Sequence, residues 1–138
     1  MQTDTLRLGC AMFVAVLFLS SGTAKVLRYQ YFVSAVHSWG MTSPRTSRMV
    51  ARLLPPAEVV LGSTIVISAL LGRGLTEVML AGVGAFLVFL TAQVGITIHD
   101  RGKTAHCGCF ARPSPVGAQS IVRTALFLSV SLLALPLL

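Results

Sequence analysis

The chain has 138 residues, 54% apolar and only 11% charged, with a mean hydropathy of +0.81. Soluble domains carry roughly a quarter charged residues, so this composition excludes an ordinary water-soluble fold and points to the bilayer. Eleven Lys and Arg against four Asp and Glu leave a charge of +7; in so apolar a chain that excess belongs on loops facing anionic headgroups, and no basic stripe with interleaved aromatics suggests nucleic acid.

A membrane span needs about 20 mostly apolar residues, because a helix rises about 1.5 Å per residue through roughly 30 Å of hydrocarbon. The first such stretch covers residues 6–27. Its core, Leu8 to Ala24, has the length of a secretory signal, but Arg7 is the only basic residue before it and Lys25 and Arg28 follow at once. It is therefore read as a retained span. Cys10, near its start, reads as a small core residue. Between residues 28 and 52, Tyr29, Phe32, Val33, Val36 and Trp39 or Gly40 follow helical spacing, which predicts a short interfacial helix. Arg45, Arg48 and Arg52 then recur at i, i+3 and i+7, placing three cations on one face, against headgroups or water.

Pro55-Pro56 suits the first turn of a second span over residues 53–71, where missing N–H groups cost little, and Glu58 is the only charge in that span. Gly72-Arg73-Gly74 predicts a tight antiparallel turn into a third span over 75–98, and Gly62, Gly82 and Gly84 offer places for close helix approach. A fourth span covers 116–138. The expected fold is all-α: one integral membrane domain over 1–138, a four-helix bundle with a short interfacial helix between helices 1 and 2.

Four spans leave both termini on one side and the loops around 28–52 and 99–115 on the other. The long loops and their flanks hold Lys25, Arg28, Arg45, Arg48, Arg52, Arg101, Lys103 and Arg112, against Arg7 and Arg73 opposite. The positive-inside rule then sets the 99–115 loop in the cytoplasm of a multi-pass cell-membrane protein.

That loop carries Cys107-Gly108-Cys109. Two thiols with one residue between them reach disulfide separation only if the chain turns sharply, which glycine permits, and the small ring is strained and easily reduced. His106, Arg101, Lys103 and Arg112 supply positive potential that favours the nucleophilic thiolate. Cys107 and Cys109 are therefore the candidate redox pair. The competing reading is a metal site of His99, His106, Cys107 and Cys109, ligands suited to copper(I) or zinc, and a third is a pair of unreactive loop cysteines.

Glu58 is the second informative residue, since a carboxylate inside a span is costly and is paired or functional. Lys25, Glu58, Gln93 and Arg123 come one from each span, all near the membrane face that bears the cysteine loop. Together they predict a polar pocket beneath the thiols, for a quinone headgroup or for protons released on thiol oxidation. The plainer alternative has Lys25 and Arg123 snorkelling outward while Glu58 bonds a neighbouring helix.

Ser21-Gly22-Thr23-Ala24-Lys25-Val26 closing the first span, Leu54-Pro55-Pro56-Ala57-Glu58 and Gly62 in the second, Cys107-Gly108-Cys109-Phe110 after a basic stretch, and Arg123 in the fourth together span nearly the whole chain. In that order and spacing they resemble the MauE type of four-helix membrane protein, within the DoxX-like group, named for methylamine utilisation. The family motif continues with glycine where Ala111 stands here, a departure that leaves the thiols intact.

The resemblance implies a membrane thiol:disulfide oxidoreductase that supports maturation of a partner, alongside a thioredoxin-like or cofactor-bearing protein. It also implies partners outside the cytoplasm, against the charge count. The contrasting function class is a non-enzymatic membrane subunit or scaffold of a larger complex or oligomer, with the cysteines structural or metal-binding. On the charge count, an impermeant thiol reagent should label Cys107 and Cys109 in lysed cells and leave them unlabelled in intact ones; equal labelling in both would reverse the assignment.

Overall fold

Backbone N–H and C=O groups in hydrocarbon must be paired within their own segment, so an apolar chain without barrel-like alternation folds as helices. The computed structural model describes residues 2–40, 43–100 and 118–135, and it contains five helices over them: α1 (Gln2–Leu27), α2 (Tyr29–Ser38), α3 (Pro44–Leu71), α4 (Leu75–Asp100) and α5 (Ala118–Leu133). Helices α1, α3 and α4 are each long and apolar enough to cross a membrane. The 16 residues of α5 are apolar too, but reach only about 24 Å.

The surface is apolar and the interior is partly polar. Val16, Val60, Ile67, Leu70, Leu80 and Val88 are exposed, whereas Lys25, Glu58, Gln93, Ser120, Thr124 and Ser131 are buried. In water this arrangement would be inverted; in lipid the outward side chains lose nothing and the polar groups pair inside. The helices close a ring in which α1 packs most extensively on α3, α3 on α4, α4 on α5 and, more lightly, α5 on α1. The main core joins Val14, Ala15 and Phe18 of α1 to Ile65 of α3 and Met79 and Phe86 of α4. Phe86 lies 4.8 Å from Phe18 and 6.2 Å from Phe127 of α5 between ring centroids, and Phe13 meets Phe127 edge-on at 6.3 Å.

The tight connection between the second and third spans is found as expected. Gly72 caps α3 in the left-handed region, with φ 64°, its N–H donating to the Ser68 carbonyl, and Gly74 repeats that conformation at φ 68°. The helix that carries the second span starts earlier than expected. Helix α3 begins at Pro44, not Leu53, so the Arg45, Arg48 and Arg52 face belongs to it and Pro55-Pro56 lie in its interior. Ser43 is the cap: its side chain accepts from Thr46 N–H at 3.3 Å, with Pro44 in the first turn.

Two prolines leave the carbonyls four residues before them without helical donors, a cost that only tertiary packing offsets. That packing comes from both sides. Ala51, with Val50 and Leu54, lies under Phe32 and Val36 of α2, while Gly22 of α1 makes room for the Pro55 carbonyl. The expected short helix therefore exists as α2, but its apolar face is covered by α3, where an interfacial helix would offer that face to headgroups.

Of the three glycines expected to permit close approach, Gly62 does so: a Cβ there would stand 3.0 Å from the Ala15 carbonyl oxygen. At Gly82 it would make ordinary contact with Phe18 at 3.6 Å, and at Gly84 it would meet nothing within 4 Å. Gly22 is the second close approach, with a Cβ 2.9 Å from the Pro55 carbonyl oxygen. At the opposite end Arg7 clamps three helices, Nε donating to the Ala134 carbonyl at 2.9 Å and Nη2 to Thr76 Oγ1 at 2.7 Å.

Replacing Gly22 or Gly62 by alanine should therefore overpack the α1–α3 interface and cost about 1–3 kcal/mol, whereas Gly84→Ala should be neutral. Thermal unfolding of the purified variants in detergent measures the difference; three equal transitions would count against this interface.

Candidate functional site

Lys25 lies in the last turn of α1, where the exposed carbonyl end of the helix favours a cation, and Ser21 stands one turn earlier on the same side. Glu58 of α3 faces them. Lys25 Nζ donates to Glu58 Oε1 in a buried ion pair, and Ser21 Oγ donates to the other carboxylate oxygen at 3.2 Å. Lys25 is 2% exposed and Glu58 4%, so the pair is screened by little water. The ammonium also stands 5.2 Å from the ring centroids of both Phe32 on α2 and Phe89 on α4, within cation–π range.

Lys25 thus turns inward, and the outward-snorkelling alternative does not apply to it. A second polar pair adjoins the first. Gln93 of α4 is buried and its Oε1 accepts from Thr124 Oγ1 of α5 at 3.0 Å; the same hydroxyl lies 3.1 Å from the Ser120 carbonyl, so one proton serves two acceptors.

Between the two pairs is a cavity of about 40 Å³, with Ser21, Lys25, Glu58 and Thr124 as its polar wall and Phe18, Phe86, Phe89 and Phe127 among its aromatic lining. Water needs only ~10–15 Å³ of such space, whereas benzene occupies a cavity of ~150 Å³. The residues present therefore fit water and do not fit a quinone ring.

Three of the four expected pocket residues are brought to this region as buried groups: Lys25, Glu58 and Gln93. Arg123 is half-buried, and its neighbour Thr124 is the α5 side chain that lines the cavity. Sequence reasoning missed Ser21, Thr124, Phe32 and Phe89. Ser21 was findable from its position one turn before Lys25; the other three were not, because nothing local distinguishes them from ordinary core residues.

Cys107, Cys109 and His106 lie outside the described residues, as do Arg101, Lys103 and Arg112. His99 is exposed in the last turn of α4. No three His, Cys, Asp or Glu side chains among the described residues could hold a metal, so the metal alternative rests on His99 together with the segment 101–117. Cys10 is half-buried and unpaired, beside Phe13 and Val130 in a groove toward the other end of α1.

A lipid-facing apolar exterior around a buried ion pair and a buried amide–hydroxyl pair defines a small helical membrane protein with a polar interior. Its family is shown by nearly the whole chain: residues 3–137 match the model of the family described as methylamine utilisation protein MauE, and the chain belongs to that family. No curated protein and no solved structure matches it.

Removing one partner of a buried ion pair strands the other in a medium that cannot solvate it, at about 3–5 kcal/mol, whereas replacing both by apolar groups is often neutral. Lys25→Met and Glu58→Met should each lower thermal stability by about that amount, and K25M/E58M should recover most of it. A double variant as unstable as the sum of the singles would show that the two charges are not coupled.

Proposed function

We propose that this MauE-family protein is a membrane thiol–disulfide redox protein in which Cys107 and Cys109 exchange disulfides with a partner protein. The reading combines family membership with the paired thiols in their basic surroundings. The observation that carries it is the buried polar site itself: side chains of α1, α3, α4 and α5 converge about two turns inside the end of α4, and in sequence the cysteine-bearing segment joins α4 to α5. A charged pair is costly to bury and is retained at such a position for what it supports.

In the exchange, a thiolate of one cysteine attacks a sulfur of the partner's disulfide. A mixed disulfide forms as the partner's other sulfur leaves as thiolate, and the second cysteine then displaces the partner's remaining sulfur. The pair ends oxidised and the partner reduced, two electrons having moved; the reverse sequence oxidises the partner. Lys25, Glu58, Gln93 and Thr124 hold the helix ends from which the segment departs, and Arg123 lies beside them. They act as positioning groups, and no step passes through a quinone in the cavity. In the same reading α5 completes a fourth crossing, and α2 with the first turns of α3 caps the bundle near the headgroups.

Cys107→Ser and Cys109→Ser test this directly. One of the two should accumulate a mixed disulfide with its partner, visible as a band on non-reducing gels that disappears on reduction. If neither traps a partner and partner maturation continues in both, the exchange mechanism is excluded.

A further inference from the structure

We propose that the first turns of α3 form a binding ledge for anionic phospholipid headgroups, with Arg45, Arg48 and Arg52 as the phosphate ligands. The proposal rests on the membrane reading of α3 and not on the cysteine chemistry.

The three arginines are exposed on one face of the helix, and Met49 and Leu53 lie exposed among them, 64% and 56% accessible. Followed by helical steps through Pro56, the same face continues into Val60 and Ile67, also 64% and 55% accessible. One stripe therefore runs the length of α3, cationic at its start and apolar thereafter. The opposite face is occupied: Ser47, Ala51, Pro55, Glu58 and Gly62 are buried.

The change in chemistry falls where the bilayer dictates. Helix α3 has 28 residues, about 42 Å, against roughly 30 Å of hydrocarbon. Counting about 20 residues back from Leu71 spans that thickness and ends at Arg52. The remaining turns stand in the headgroup layer, on the side of the helix that faces lipid further down. An acyl chain lying along Val60 and Ile67 has its phosphate at the level of these arginines.

Charge supports the same occupant. The sequence holds no Asp or Glu between Asp4 and Glu58, and Glu58 is taken by Lys25, so no carboxylate on the ledge competes for the guanidinium groups. Guanidinium presents paired donors that match phosphate oxygens, and Met49 and Leu53 would sit against the first acyl carbons. A soluble acidic partner could match the charges, but not the apolar stripe that continues from them into the bilayer.

The test uses the full chain, purified in neutral detergent and offered phosphatidylglycerol and phosphatidylcholine of matched acyl chains, with retained lipid counted by native mass spectrometry. The wild-type chain should keep phosphatidylglycerol preferentially, and the preference should weaken as salt rises. Each single Arg→Gln change at 45, 48 or 52 should weaken it about fivefold. R45Q/R48Q/R52Q should abolish it, and R73Q, at the far turn, should leave it intact. Helix content by circular dichroism checks the triple variant; should that variant not fold, the graded singles carry the comparison. Equal retention of the two lipids by the wild type, or unchanged selectivity in the arginine variants, overturns the proposal. So does loss of a defined acidic partner from the variants while lipid selectivity persists, which would make the surface a protein contact.

Discussion

The fold is organised around one costly interaction, the ion pair between Lys25 and Glu58. Taking an ammonium and a carboxylate out of water carries a desolvation cost that their mutual attraction repays only when geometry is good and remaining donors and acceptors are satisfied. Here Ser21 meets the second carboxylate oxygen, and the rings of Phe32 and Phe89 flank the ammonium. That set draws on α1, α2, α3 and α4 at once. It also demands that α1 and α3 approach closely at this level, which Gly22 permits beside Pro55 and Val59 and Gly62 permits beside Ala15 and Leu19. The glycines and the charges thus specify the same register between the two helices.

The two ends of the bundle are tied by different chemistry. At one end the polar partners are side chains, Lys25 with Glu58 and Gln93 with Thr124. At the other Arg7 reaches a backbone carbonyl of Ala134 and the Thr76 hydroxyl, fixing α1 against the last turns of α5 and the first turn of α4. Between them the core is largely aromatic and aliphatic. The lightest contact in the ring is that between α1 and α5, and the groove beside Cys10 lies along it, whereas the internal cavity is lined by α1, α3, α4 and α5 together.

Much of this was legible in the sequence, for physical reasons that differ by residue. Long apolar stretches announce α1, α4 and most of α3 because lipid imposes length and composition together. The Lys25–Glu58 pair was legible because two isolated charges near the same face of the membrane have few other ways to be neutralised. The start of α3 was misread because Pro55-Pro56 carries a strong local signal for a helix start, while the interactions that override it, α2 on Ala51 and Gly22 beside Pro55, are tertiary. What packs on α2 was not legible for the same reason: an amphipathic stripe states that one face is apolar, not what covers it. Ser21 and Thr124 were passed over because hydroxyls are common in membrane helices and most, like Thr64 and Thr91, bond their own backbone.

The ion pair also bears on the exchange proposed for the cysteines. A paired Lys25 and Glu58 has no net charge, so a proton delivered to Glu58 would leave the ammonium with two aromatic faces and no counter-ion, in a cavity with room for little water. Passing protons through the pair therefore means breaking the contact that fixes the register of α1 and α3. Holding that contact serves a different purpose. It keeps α1 and α3 together at the level where Gln93 and Thr124, each about two turns from the facing helix ends, join α4 to α5, the two helices that the sequence connects through Cys107 and Cys109. The thiol exchange proposed above needs sulfurs in line with a partner's disulfide, and α4 and α5 are the helices that bound residues 101–117 in sequence. In the proposed exchange the buried charges would therefore act by restraining the helices that bound residues 101–117, and not by carrying protons.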